Sequence, residues 1–235
     1  MSALAVNPIG RAARFYEAPI GKKAVMAVTG VMLVGYVFAH LLGNLQIYSS
    51  NHEQINAYAA FLHNPSNTLA LWGARSVLVL AVILHIVASV QLVLQNRAAR
   101  PVAYVKKDDL PSSYASRTMF WSGPIVGAFV IFHILHLTAG AVLPTHEISL
   151  NHPDVRRNVI EGFTNPAVSG FYIFAMILLC MHLYHGMWSM FQSLGISHPL
   201  YTRKIKTGAA VLAILIAIGN CSIPIAVMAG LLTNN

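Results

Sequence analysis

The sequence predicts an all-α integral membrane protein, a bundle of five transmembrane helices with a cytoplasmic N-terminus and a C-terminus outside. Three observations predict it. Charged residues are 9% and apolar residues 56% of the 235, against roughly 25% charged in ordinary globular proteins. Five apolar stretches each reach the about 20 residues that a bilayer-spanning helix needs. The basic residues collect in alternate connections, as the positive-inside rule requires.

Seven acids and fifteen bases cannot solvate a surface of this size. That excludes a soluble enzyme, a disordered chain and a nucleic-acid binder. The formal charge of +8 therefore reports orientation in a bilayer and not an anionic partner. Both cysteines, Cys180 and Cys221, fall in apolar runs, where Cys acts as a small hydrophobe. No CxxCH motif occurs, so covalent haem attachment is excluded, and no CxxC pair offers a zinc or iron–sulfur site. The first 23 residues carry Arg11, Arg14, Lys22 and Lys23 without an apolar core. They do not resemble a cleaved signal peptide, so the first apolar segment is expected to stay in the mature protein.

The expected spans run from about Ala24 to Tyr48, Leu69 to Gln95, Met119 to Leu143, Ala167 to Phe191 and Thr207 to Leu232. The runs are too long for strands and do not alternate. Gly and Ala in the first four allow close approach of helices or of a flat cofactor. The N-terminal segment, the connection 96–118 (Arg97, Arg100, Lys106, Lys107, Arg117) and the connection 195–206 (Arg203, Lys204, Lys206) hold twelve bases. The other side has Arg156 and Arg157, and Arg75 lies inside the second span. That imbalance puts the N-terminus in the cytoplasm. Asn51 to Leu62 and Pro153 to Phe163 read as short interfacial helices, punctuated by Pro65, Pro144, Pro153 and Pro166. Pro224 removes a donor and predicts a kink that frees the Asn220 carbonyl. No domain boundary is visible, so residues 1–235 read as one membrane domain.

Eleven histidines are the unusual feature of this composition. Six lie within spans: His40, His85, His133, His136, His182 and His185. The others, His52, His63, His146, His152 and His198, are in connections. Ionisable residues at membrane depth are costly and usually functional. Six on four of the five helices outweigh the ordinary reading of interhelical hydrogen bonds. Neutral imidazole is a good iron ligand, and a low-spin haem b needs one from each side. Two haems need four histidines, which four helices supply.

Depth sorts these histidines. Lys23 to His40 is 17 residues and Arg117 to His133 is 16, placing both toward the outer side. Arg97 back to His85 is 12 and Gly195 back to His182 is 13, a common level nearer the cytoplasm. His40 with His133 suits an outer haem, and His85 with His182 an inner one. Within each HxxH the choice is weaker: His136 and His185 sit about 4.5 Å along the axis from their neighbours. A short repeat supports it. Thr29-Gly30 precedes His40, and Ser122-Gly123 precedes His133, by the same nine-residue gap. Each glycine then lies about 15 Å from its histidine, near the depth of the other haem, where a missing side chain leaves room. Gly43 and Gly186 sit within a turn of His40 and His182 and offer similar relief, or simple helix packing.

Haem propionates want basic or hydroxyl partners at the membrane edge. Arg75 is the candidate for the outer haem, against snorkelling to the headgroups. Lys22, Lys23, Arg117 and Ser193 are candidates for the inner one, against service as ordinary inside anchors. Trp72, Trp121, Trp188, Tyr16 and Tyr48 lie near span ends, where an aromatic belt is the default. No Asp or Glu lies within a span, so a proton path of intramembrane carboxylates is not expected.

Four features, TG-x9-H ending at His40, the lone His85, SRTMFWSG continuing to FHILHLT with His133, and MHLYHGMWSMFQSLGI with His182, carry a resemblance. The chain resembles the five-helix, di-haem cytochrome b membrane anchor (b558 type) of succinate:quinone oxidoreductases and some fumarate reductases. The resemblance implies axial ligands His40, His85, His133 and His182, paired first span with third and second with fourth, the same set that depth selects. It implies electron transfer between a cytoplasmic iron–sulfur subunit and membrane quinone, usually menaquinone. A flavoprotein subunit would oxidise succinate, and no residue here handles succinate. Docking would use the N-terminal segment and the connection Arg97 to Arg117. Some relatives carry a glutamate just before the fourth-helix ligand. Here Leu179, Cys180 and Met181 stand there, which removes that proton-linked device. Competing readings are the di-haem anchor of a hydrogenase or formate dehydrogenase and a haem-free transporter. The expected location is a bacterial cytoplasmic membrane.

Overall fold

A computed structural model describes residues 8–99, 114–143 and 154–234. Arg100, Lys106, Lys107, Pro144, His146, His152, Pro153 and Asn235 lie outside the described residues. Among those described, the regular structure is all helical and there is no strand. The helices are α1 (Pro8–Glu17), α2 (Pro19–Asn44), α3 (Gln54–His63), α4 (Thr68–Ala98), α5 (Tyr114–His133), α6 (Val155–Phe163), α7 (Pro166–Ser193) and α8 (Pro199–Met228). A 3-10 turn, Leu45–Tyr48, extends α2, and a π-helical turn, Ile134–Thr138, extends α5. Five segments are long and apolar enough to cross a membrane: Pro19–Tyr48, Pro65–Ala98, Arg117–Thr138, Pro166–Ser193 and Pro199–Met228. At about 1.5 Å per residue even the shortest exceeds the roughly 30 Å hydrocarbon core.

Their starts follow local chemistry. Proline opens α2, α7 and α8, where its missing N–H costs nothing. Asn165 accepts from the Ala167 N–H and His198 from the Leu200 N–H, capping α7 and α8. Two ends differ from the sequence expectation because glycine stops the helix. The third span ends at Thr138 and not Leu143, since Gly140 adopts φ +60°. The fifth ends at Met228 and not Leu232. There Gly230 takes φ +71°, and the Leu231 N–H reaches back to the Ala226 carbonyl. The fifth also begins at Pro199, earlier than Thr207. Helix α8 runs through the buried Pro224.

The N-terminal segment holds a helix that its charges concealed. Helix α1 lies against the end of α4, where Tyr16 donates to Gln91 Oε1 at 2.9 Å and Gln95 donates to the Glu17 carbonyl at 3.3 Å. Lys22 is 5% exposed and donates to the Tyr16 and Glu17 carbonyls at 3.1 and 2.7 Å. It closes the C-terminus of α1, as a cation there should. The two interfacial helices expected from sequence are present as α3 and α6, which pack on each other at the opposite end.

Buried packing centres on α2, α7 and α8. Ala209 and Ala213 of α8 share a buried cluster with Leu41, Leu183 and Met187, while a Cβ on Gly219 would stand 2.8 Å from Leu41 Cδ1. Small residues let these backbones approach, which is how helices associate where lipid cancels the hydrophobic drive. Among the spanning segments, helix α4 leans mainly on α2, and α5 mainly on α7. Among the described residues neither α2 with α5 nor α4 with α7 packs along its length, and α4 meets α5 through the Arg97 guanidinium, 5.0 Å from the centre of the Phe120 ring. The bundle is therefore open on that side. Large apolar side chains such as Leu69, Trp121, Ile131 and Ile218 remain exposed on the outside. Exposed apolar surface on this scale is unstable in water and stable against acyl chains.

Arg156 locks the capped end. It is buried, and its guanidinium donates to the Ile47 carbonyl at 2.9 Å and the Thr233 carbonyl at 3.2 Å. Its neighbour Arg157 bonds Glu161 at 2.8 Å from a half-exposed position. Arg156→Ala is expected to destabilise the protein by about 2–3 kcal/mol, because charged hydrogen bonds are lost and buried carbonyls orphaned. Arg157→Ala should change it by under about 0.5 kcal/mol. Unfolding in detergent measures both; equal effects would refute the assignment.

Candidate functional site

The six span histidines divide by what they meet. The His40 and His133 rings lie 5.8 Å apart between centres and nearly perpendicular at 84°. His85 and His182 lie 6.4 Å apart at 57°. The pairs join α2 to α5 and α4 to α7, two combinations that do not pack along their lengths. Each pair thus spans an interhelical gap. Gly30, beside His85, precedes His40 by ten residues, so the pairs are separated by about 15 Å along α2.

Both glycines of the repeat face one pair. A Cβ on Gly30 would lie 3.7 Å from His85 Cε1, and one on Gly123 would lie 3.9 Å from His182 Cε1. The repeat on α2 and α5 therefore serves the histidines of α4 and α7, at the depth expected from sequence. Gly43 has a different role: its missing side chain admits the Tyr58 ring, whose Cε1 would be 2.9 Å from a Cβ. A Cβ on Gly186 would meet nothing within 4 Å.

Hydrogen bonds decide which ring nitrogen is free. Thr29 Oγ1 donates to the Val25 carbonyl at 2.7 Å and lies 3.1 Å from His85 Nδ1. Its single proton is spent on the carbonyl, so His85 Nδ1–H is the donor of the second bond. That tautomer leaves the Nε2 lone pair available. His182 Nδ1 is buried without a partner among the described residues. On the outer pair, the Tyr172 hydroxyl lies 3.4 Å from His133 Nδ1 and 3.0 Å from His136 Nδ1. His40 stacks on Tyr36, with ring centres 5.5 Å apart.

His136 is sealed off. It is 5% exposed, bonded to Tyr172, and a Cβ on Gly162 would sit 3.1 Å from its Nε2. The π-helical turn begins directly after His133 and turns His136 toward α6 and α7. Its i→i+5 bond runs from Ala139 N–H to the Ile134 carbonyl at 2.8 Å. His185 lies edge-on to Trp188, over whose ring the Lys206 ammonium sits at 4.4 Å. Sequence reasoning missed Tyr172. The only signal was a tyrosine well inside a span, where its hydroxyl needs a partner.

The candidate edge residues are mostly engaged elsewhere. Arg75 lies 3.4 Å from His63 Nε2 and packs on the Trp72 ring. Lys22 closes α1. Ser193 donates to the Ser189 carbonyl at 3.0 Å and keeps its acceptor sites. Lys23 and Arg117 are exposed. Tyr48 bonds Ser222 at 2.9 Å, and Tyr16 bonds Gln91, so neither is a plain belt residue. Thr29 also lines an open, otherwise apolar cavity of about 350 Å3 between α2 and α4.

Among the described residues no group of three His, Cys, Asp or Glu side chains is arranged to hold a metal ion. Histidines meeting in twos suit an iron whose remaining ligands come from a porphyrin, and not a zinc site built from protein alone. An iron held at about 2 Å from each of two imidazole nitrogens separates the ring centres by roughly 6 Å, close to both pairs found here. The residues present therefore fit the group.

The fold and site define a class, an all-helical chain with five potential membrane spans and two interhelical histidine pairs. Comparison with known proteins adds no family: no family model, no curated protein and no solved structure matches this chain.

Proposed function

We propose that this chain is the membrane-anchor cytochrome b of a succinate dehydrogenase, a multi-pass protein of a bacterial cytoplasmic membrane that binds two haem b groups. The observation that carries the reading is the convergence on His85 and His182. Two imidazoles from α4 and α7 face across a gap. Two glycines from α2 and α5 clear the space beside them, and a hydroxyl fixes the tautomer of one. A hydrogen-bonding role alone would leave the glycines and the separated helices without purpose.

In this reading His85 and His182 hold the inner haem, and His40 and His133 the outer. Each haem, when bound, supplies a reversible one-electron couple. The chain's own residues set where that couple sits. The helices fix two depths about 15 Å apart along α2, and the imidazoles orient each site. Thr29 holds the His85 ring in one tautomer, and the Tyr172 hydroxyl stands 3.4 Å from His133 Nδ1. The absence of Asp and Glu from the spans keeps intramembrane carboxylates out of the transfer. The basic excess at the α1 end supports a cytoplasmic side for that end, where an iron–sulfur subunit and a flavoprotein subunit would dock. The electron acceptor is membrane quinone, menaquinone in most of the class that the sequence resembles.

One preparation tests the reading. Purified protein should show b-type bands in a reduced-minus-oxidised spectrum, two haems per chain and co-purifying flavin. Inverted membrane vesicles, which expose the cytoplasmic face, should reduce quinone with added succinate, and right-side-out vesicles should not. Absence of a b-type band overturns the cytochrome reading. Bands without flavin or succinate-dependent activity would favour the anchor of another respiratory oxidoreductase.

A further inference from the structure

The repeat has a hydroxyl as well as a glycine in each copy, and the two hydroxyls differ in what they meet. Thr29 is 5% exposed and takes the Nδ1–H of His85 while donating to the carbonyl one turn back. Ser122 is 1% exposed, and its only hydrogen-bonding contact among the described residues is a weak one, 4.0 Å to Met119 Sδ. The nitrogen that corresponds to His85 Nδ1 is His182 Nδ1, also buried and also without a partner among the described residues. A buried hydroxyl and a buried imidazole nitrogen left apart each forfeit a hydrogen bond and keep the cost of their desolvation.

The backbone already matches between the two sides. Gly30 and Gly123 approach the Cε1 atoms of His85 and His182 to within 0.2 Å of the same distance, 3.7 against 3.9 Å from the Cβ position. The hydroxyl residue precedes the glycine in both copies. A χ1 change at Ser122 to the back-bonded rotamer that Thr29 uses sends its proton to the preceding turn and leaves its lone pair for an imidazole N–H.

We propose that Thr29 and Ser122 are paired positioning residues, each accepting the Nδ1–H of one inner-haem ligand, His85 or His182. This rests on the haem reading above. Both act through the ligand and touch no iron. A hydroxyl acceptor at Nδ1 makes the imidazole more basic at Nε2 and favours ferric iron. Its removal raises the reduction potential of the inner haem, and partners of this kind are worth about 10–100-fold in metal affinity.

The test is a redox titration of both haems in the intact complex, for wild type, Thr29→Val, Thr29→Ser, Ser122→Ala and Ser122→Thr. Thr29→Val and Ser122→Ala should each raise the inner potential, by about 59 mV for every tenfold loss of ferric over ferrous affinity. The outer potential should stay where it is. Thr29→Ser and Ser122→Thr should retain the wild-type value, and low-temperature electron paramagnetic resonance should show a changed ferric signal for the inner haem alone in the hydroxyl-free variants. Loss of the inner haem only, in Thr29→Val but not Thr29→Ser, also supports the proposal. An unmoved inner potential in both hydroxyl-free variants, with two haems bound, overturns it and leaves the cytochrome reading standing. Absence of b-type bands in the wild type overturns both.

Discussion

With the two haems proposed above, His85→Ala is expected to halve the haem content, from two per chain to one, with the survivor at the outer pair. The change removes the only imidazole that α4 brings to the bundle interior and leaves His182 without an opposing ligand. No other histidine among the described residues can replace it. His63 is exposed at the α3 end beside Arg75, and His185 lies against Trp188. In the proposed succinate dehydrogenase, succinate-dependent quinone reduction should fall by more than about 100-fold, since losing a ligand costs more than losing its hydrogen-bond partner, which alone is worth 10–100-fold in metal affinity. Extracted haem per protein and the ferric resonance spectrum measure the outcome. Two bis-histidine haems in His85→Ala would show the ligand set to be wrong.

His133→Ala and His136→Ala should separate cleanly, although the two residues share one HxxH. His133 faces His40 across the gap, so its loss is expected to remove the outer haem and leave the inner one. His136 is buried against Gly162 and bonded to Tyr172. Its replacement should cost about 1–3 kcal/mol of stability, the worth of a broken buried hydrogen bond, with both haems retained. Haem stoichiometry and thermal unfolding of the two variants distinguish these effects. Loss of a haem from His136→Ala, with two retained in His133→Ala, would reverse the choice.

Particular residues show how far the sequence could be read. Span positions followed from apolar length, and the interfacial helices followed from their flanking prolines. Depth sorted His40 with His133 and His85 with His182, because a helix converts residue count into distance at a fixed rise, and the Thr/Ser-Gly repeat supported that choice over His136 and His185; the rings of each pair do lie within 6.4 Å of each other. The fate of Lys22 did not. A lysine beside a span reads as an inside anchor. It becomes the cap of α1 only because a short helix that no apolar run announces folds back onto α4. Arg156 likewise reads as a loop base, and only the meeting of α3, α6 and the C-terminal residues makes it a buried lock. Tyr172 showed only as a tyrosine inside a span, because its partners, His133 and His136, come from a distant segment.

The sequence by itself determined the helical class, the number of potential spans, the two levels of histidine and the glycines matched to them. All of these are set by length, period and composition along one axis. The tertiary structure decided which helices touch and which stay apart, where the third span widens into a π-helical turn that sets His136 aside, and which nitrogen of His85 is left free. Those depend on rotation about each helix axis and on contacts between distant segments. A one-dimensional pattern of apolar residues that are nearly uniform around each helix carries little record of either.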